Sequence, residues 1–322
     1  MSILCLGWED YVINVVIIFT PYQEVVWCEI KEEVKGKVIL FDFANKKTSS
    51  EGTGLYFYRK TILFYLALFF VVLYTRIFSF RLFCAHPAQA FSNLLFFSNK
   101  VKEINILEDG ILNYYGCELC HIESKVKVLS QKKIISYFIY NYFGHLSGIE
   151  NKHTNTPFIG WFSNPKDIYH SNLFQKINKI EFRNISKLNE FEETKDIILI
   201  LDQPIEELFD SDFKDVLLNN MMALLDSTST SNIYVKPHPR GGGLFSCSNE
   251  YKLIDDPAPV EYLIGKIKPR LVISFISSAL VTIKVICPDI HCVSLGLDNT
   301  NLNNKFKKDI KKIFESFNVQ IL

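Results

Sequence analysis

Short runs rich in branched and aromatic residues alternate with longer segments of helical period, and they do so twice along this chain. The runs "VINVVIIF" at 12–19, "VILFDF" at 38–43, "FSFRLFCA" at 78–85 and "EINIL" at 103–107 have the length and composition of buried strands. Between them lie "YQEVVWCEIKEEV", which Pro21 can open as a helix, an apolar helix around 57–75, and "QAFSNLLFFS". Strands separated by helix-length crossovers pair in parallel and take helices on their faces, so the first half reads as a βαβα sheet. Residues 141–195 lose this rhythm and turn polar, and a domain boundary is expected there. The pattern then restarts with "DIILIL" at 196–201, a helix at 212–226, "NIYVK" at 232–236, a helix at 259–267, "RLVISF" at 270–275, the helix "SALVTIKVI" and the strand "HCVSLG". Two similar α/β halves facing each other are the expectation.

Composition narrows the partners. A chain of 322 residues, 48% hydrophobic, has ample material for two cores. Its 35 basic and 35 acidic residues give no net field toward nucleic acid, so an anionic ligand must be held locally. Eight cysteines in a chain of this size do not read as a disulfide framework. Glu9 and Asp10 stand where a signal peptide would be positive, and a reducing cytosol is expected. The 15-residue stretch "TILFYLALFFVVLYT" at 61–75 is short of the roughly 20 residues of a membrane span, and reads as a buried core helix.

Open parallel sheets bind ligands beyond the carboxyl ends of their strands. "EINIL" is followed there by Glu108, Asp109 and Gly110; "IILIL" by Asp202, Gln203 and Pro204; "NIYVK" by Pro237, His238 and Pro239; "LVISF" by Ile276, Ser277 and Ser278. Neighbouring carboxylates at 108 and 109 repel, which favours proton uptake by one of them, and Gly110 permits a tight turn beside them. The same triplet is also an ordinary acidic turn. The prolines flanking His238 hold Lys236 and His238 out of helix and fix the imidazole on a stiff bend. Ser277 and Ser278 open a helix, where they serve either a phosphate or simply the helix cap. Glu261 follows Pro259 in a first turn, placed to accept from ribose hydroxyls or to do no more than a first-turn glutamate does.

Taken in order, these residues resemble the bacterial sialyltransferases, most closely glycosyltransferase family 52. The similarity rests on Thr20, Pro21, Tyr22 and Gln23 as a "TPxQ" turn, the acidic triplet 108–110, Gln203 and Pro204, the "KPHP" box at 236–239, Pro259 to Glu261, and the serine pair, spanning about 12–295. The resemblance implies a glycosyltransferase B fold, two Rossmann-like domains facing a cleft. It implies residues 1–165 as the acceptor domain, 166–302 as the CMP-sugar domain, and 303–322 as a C-terminal helix packing back on the first domain or facing a membrane. By the same resemblance the donor is CMP-sialic acid, transferred with inversion, without a metal or other cofactor, to a terminal sugar such as galactose on a glycan or glycolipid. One carboxylate of Glu108 and Asp109 is then the general base, with Asp109 favoured. His238 meets the leaving phosphate, and Gly110, Gln203, Lys236, Pro239, Glu261, Ser277 and Ser278 hold the donor. Thr20, Pro21 and Gln23 lie near the cleft. The implied setting is the bacterial cytoplasm, at the inner face of the membrane.

Competing readings come from other residues. A polysialyltransferase or another transferase of CMP-linked 2-keto sugar acids fits the same nucleotide residues. Zinc is the metal alternative, from "CELCH" at 117–121 with Cys287, His291 and Cys292. In the C-terminal segment Phe306, Ile310, Ile313, Phe314 and Phe317 recur at helical spacing opposite Lys307, Lys308, Lys311 and Lys312. Such a helix lies on an anionic membrane surface or packs on the protein with its lysines in water. A second His-Pro pair, His86 and Pro87, reads as structural.

Overall fold

The computed structural model describes residues 13–43, 54–58, 62–85, 90–110, 154–158, 174–179, 185, 195–226, 228, 232–238, 241, 243–245 and 251–322. The chain divides into two compact units, Met1–Glu181 and Phe182–Leu322.

In the first unit, β1 (Ile13–Ile18), β2 (Lys37–Asp42), β3 (Gly54–Tyr58), β4 (Phe80–Cys84) and β5 (Val101–Ile106) form one parallel sheet in the order β3-β2-β1-β4-β5. The central strand β1 buries Val15, Val16, Ile17 and Ile18 in succession, as a strand covered on both faces does. Helix α1 (Pro21–Ile30) follows at once, with Thr20 as N-cap accepting from the Gln23 N–H and Pro21 in its first turn. Helix α2 (Ile62–Ile77) and α3 (Ala90–Phe96) complete the crossovers. A separate parallel pair is formed by β6 (Thr154–Phe158) and β7 (Phe174–Lys179).

In the second unit all strands are again parallel: β8 (Lys195–Leu201), β9 (Ile233–Lys236), β10 (Lys252–Leu253), β11 (Pro269–Ser274), β12 (His291–Ser294) and β13 (Gln320–Ile321), in the order β10-β9-β8-β11-β12-β13. Helices α4 (Lys214–Asp226), α5 (Val260–Ile267), α6 (Ser278–Ile286) and α7 (Asn304–Ser316) connect them. Ile198, Ile200, Val235, Ile273 and Val293 from the sheet meet Leu217 and Met221 of α4 and Phe209, Phe245 and Phe275 in one core. Each unit has the doubly wound topology in which the chain leaves a central strand in both directions.

Four local expectations are corrected. Residues 54–58 form the edge strand β3, whereas the apolar run suggested helix from 57 onward; pairing with β2 from Val38↔Gly54 to Asp42↔Tyr58 decides it. The polar stretch 141–195 contains β6 and β7, whose strand character comes from their mutual pairing and not from an apolar pattern. Helix α2 is not a buried core helix. It buries Phe64, Leu68, Val71 and Thr75, and exposes most of its other large apolar side chains. The last residues are not helical: α7 ends at Ser316, Asn318 turns at φ 54°, and β13 adds to β12. The apolar face of α7 buries Ile310, Ile313 and Phe314 within the second unit, which leaves its lysine face to solvent.

Candidate active site

In the first unit the topological switch lies between β1 and β4, the place where a ligand crevice opens in sheets of this kind. The register Ile18↔Asp42, Ile17↔Cys84 and Cys84↔Ile106 brings the ends of β1, β2, β4 and β5 to one edge. Residues 86 and more apart in sequence become partners there. The Gln23 side-chain amide donates to Asp109 Oδ1 at 2.6 Å, and the Thr20 hydroxyl donates to the same oxygen at 3.3 Å. Gln23 is itself fixed, because its Oε1 accepts from the Phe19 N–H at 2.7 Å. The N-terminal turn of α1 thus holds the Asp109 carboxylate in a set orientation.

The two adjacent carboxylates are not equivalent. Glu108 is fully buried, at 0% exposure, and accepts from the Tyr22 hydroxyl at 3.4 Å, whereas Asp109 is partly exposed. Gly110 is buried and turns at φ 73°, a conformation that costs glycine nothing and strains other residues. The expected triplet is therefore a buried carboxylate, an oriented accessible one, and the turn that separates them. A further carboxylate pair on this edge escaped the sequence reading. Glu24, in the first turn of α1, is buried; burial, with the neighbouring Asp42, pushes its carboxyl up to about 7, against a lowering pull from Lys31.

In the second unit the switch lies between β8 and β11. Gln203 stands at this point, and its amide is committed to the β11–α6 loop. Its Oε1 accepts from the Ile276 N–H at 2.8 Å and the Phe275 N–H at 3.2 Å, and its Nε2 donates to the Ile276 carbonyl at 3.2 Å. Gln203 thereby fixes the loop that carries Ser277 and Ser278. Ser277 is the N-cap of α6, accepting from the Ala279 N–H at 3.3 Å, and Ser278 is the first helical residue. The capping use of Ser277 is thus realised.

Lys236 ends β9 and His238 follows it, both partly buried. The Lys236 ammonium donates to the Asp256 carbonyl at 2.8 Å, ahead of α5. Glu261 of α5 is buried beside it. Burial pushes the Glu261 carboxyl up to about 7, while a backbone hydrogen bond and Lys236 pull it down. The His238 carbonyl accepts from the Gly241 N–H at 2.9 Å, closing the turn after the imidazole. Pro239, His86, Pro87 and residues 117–121 lie outside the described residues.

Asp202 was legible as a strand-end carboxylate, yet its task is visible only here. It is buried and accepts from the N–H groups of Gln203 at 3.1 Å, Leu244 at 3.0 Å and Phe245 at 3.0 Å, so it fastens the segment that follows the His238 turn. A Cβ at Gly243 would stand 2.1 Å from Asp202 Oδ2. Gly243→Ala is therefore expected to destabilise the protein by about 1–3 kcal/mol, read from urea unfolding, through displacement of this carboxylate.

Among the described residues no group of three or more His, Cys, Asp or Glu side chains is placed to hold a metal ion. The zinc candidates Cys287 and Cys292 are buried, and burial pushes their thiols up to about 11 and about 12. His291 opens β12 beside Cys292, and its Nε2 lies 2.9 Å from Gln320 Oε1.

Comparison with known proteins agrees with this architecture. The chain is similar to the α/β-galactoside α-2,3-sialyltransferase of Photobacterium phosphoreum, with TM-score 0.51 and 13% identity over 97% of this chain and 99% of that one. It is similar to the 2,6-sialyltransferase of Photobacterium sp. JT-ISH-224, solved with CMP and lactose, with TM-score 0.52 and 12% identity over 96% of this chain and 78% of that one. The UDP-GlcNAc 2-epimerase of Methanocaldococcus jannaschii gives TM-score 0.51 and 11% identity over 95% and 92% of the two chains. These likenesses establish the glycosyltransferase B fold class that the sequence implied. No curated protein matches the chain. The expectation of a bacterial sialyltransferase holds, with one of the alternatives, the polysialyltransferases, as the family matched. The sequence model of alpha-2,8-polysialyltransferases aligns with residues 29–296, and the chain belongs to that family and is a glycosyltransferase of the sialyltransferase kind.

Proposed function

We propose that this protein transfers sialic acid from CMP-sialic acid to the terminal sugar of a bacterial surface glycan, with inversion and without a metal. The family favours a terminal sialic acid as the acceptor, extended through α-2,8 linkages, over the galactose first expected. The single observation that carries the chemistry is the Asp109 carboxylate, partly exposed and oriented by Gln23 and Thr20 at the switch of the first sheet.

An acceptor hydroxyl is too weak an acid to attack unaided, so a positioned carboxylate must take its proton as the bond to the anomeric carbon forms. Asp109 has the exposure for that role and Glu108 does not. Glu108 instead holds Tyr22 in the turn that orients Asp109. As the bond to CMP breaks, negative charge grows on the departing phosphate. His238 donates an N–H to it, and the α6 N-terminus adds its favourable dipole. Such donors do the work of a divalent cation. The setting that fits a CMP-activated donor and a growing surface glycan is the bacterial cytoplasm at the inner membrane face.

The test incubates purified protein with CMP-N-acetylneuraminic acid and two acceptors, an oligosialic acid and a terminal galactoside, with and without excess EDTA. The expected result is a lengthened oligosialic chain with CMP released, changed less than about twofold by EDTA. Product on the galactoside alone would restore the galactose reading. Strong inhibition by EDTA would overturn the metal-free mechanism. Absence of both product and CMP release, with other CMP-linked keto acids also inert, would overturn the proposal.

A further inference from the structure

Helix α2 is apolar on every side, yet only one side is covered. At 100° per residue Phe64, Leu68, Val71 and Thr75 form a single buried stripe. The opposite arc carries Ile62, Leu66, Phe69, Phe70, Leu73 and Ile77, all exposed, with Ile62 at 81% and Phe70 at 63%. Helices apolar all round are buried in a core or in lipid. A contiguous exposed patch of this kind marks an interaction surface, unlike apolar residues scattered singly.

Three observations identify the partner. The helix has 16 residues, about 24 Å at 1.5 Å per residue, against a hydrocarbon core of about 30 Å. Among the described residues no helix is long and apolar enough to cross a membrane. The charges are all of one sign: Arg76 is exposed on the patch, Arg59 and Lys60 precede the helix in sequence, and no Asp or Glu occurs between Glu51 and Glu103. A second copy docking through the same face would set basic residues against basic residues, with no carboxylate from 52–102 to meet them. An anionic lipid surface supplies both the hydrocarbon and the negative headgroups. The alternative membrane element, α7, has its apolar face buried in the second unit.

We propose that α2 lies in the plane of an anionic lipid bilayer, seating its Leu66, Phe69, Phe70 and Leu73 face among the acyl chains with Arg76 at the headgroups. This docking is independent of the transfer reaction and concerns only the first unit. Aromatic and leucine side chains on one arc, flanked by basic residues, are the composition of interfacial helices.

The test is co-sedimentation of the full chain with phosphatidylglycerol-containing vesicles and with pure phosphatidylcholine vesicles. The wild type is expected to sediment with the anionic vesicles, and less so in high salt. Leu66→Ser, Phe69→Ser and Phe70→Ser together should lower partitioning at least about tenfold, with Arg76→Glu intermediate. Phe70→Trp, a mild change, should show a blue-shifted difference emission on vesicle addition. Wild type remaining in the supernatant, a triple variant that binds undiminished, or no emission shift would overturn the proposal. Loss of binding in Lys308→Glu with Lys311→Glu and not in the triple variant would also overturn it, in favour of α7. Self-association abolished by the triple variant, without vesicle binding, would assign the face to a second copy.

Discussion

Asp109→Asn should lower turnover by about 10²- to 10⁴-fold while the protein still folds and binds CMP. The amide keeps the size of the carboxylate and an oxygen to accept from Gln23 Nε2 and Thr20 Oγ1, so the turn at α1 remains intact. What it loses is the capacity to take a proton. The measurement is kcat with CMP-N-acetylneuraminic acid, accompanied by CMP binding and a thermal melt. Glu108→Gln separates the two carboxylates: a buried group bonded to Tyr22 contributes to the fold, so this variant is expected to melt lower but to retain activity where folded. Full activity in Asp109→Asn, with loss confined to Glu108→Gln, would reverse the assignment. Gln23→Leu should fall between, since it frees Asp109 to rotate without removing it.

His238→Ala should cost about 10²- to 10³-fold in kcat, the usual effect of deleting one donor to a developing charge. The loss should fall on kcat more than on KM, because the charge grows only as CMP departs. His238→Gln, which retains an N–H donor, should recover part of it. The turn itself does not depend on the imidazole: the Gly241 N–H bonds the His238 carbonyl, and Asp202 holds Leu244 and Phe245 beyond it. The melting temperature should therefore stay near that of the wild type. A variant with unchanged kcat would remove His238 from the reaction.

The two adjacent carboxylates, Glu108 and Asp109, illustrate how far sequence reading reaches. "EINILEDG" identifies a strand end with an acidic turn, and that is where the structure has it. Nothing in those residues distinguishes Glu108 from Asp109, because the distinction is made by Tyr22, Thr20 and Gln23 from across the sheet. Gln203 gives the same lesson. Its place after β8 was legible, but its partner, the Ile276 backbone, lies 73 residues later, just past β11, a strand that β8 meets only in the folded sheet. Gly243 stood out only as one of three successive glycines; the reason for it is the Asp202 carboxylate packed against its α-carbon.

The sequence by itself determined the central strands, the crossover helices and the strand-end edges on which the polar groups gather. These follow from the period of apolar residues along each segment and from the breakers that end it, both local properties. Only the tertiary structure decided the edge strands β3, β10 and β13, the exposure of α2, and which polar groups meet. Edge strands are short and draw their order from a neighbour, so their own residues carry little signal. An apolar helix has the same pattern whether its far side meets protein or is left open, and the difference lies in what packs across it. The pairing of Asp109 with Thr20 and Gln23 depends on the order of strands in the sheet, a property of the whole chain that no window of residues contains.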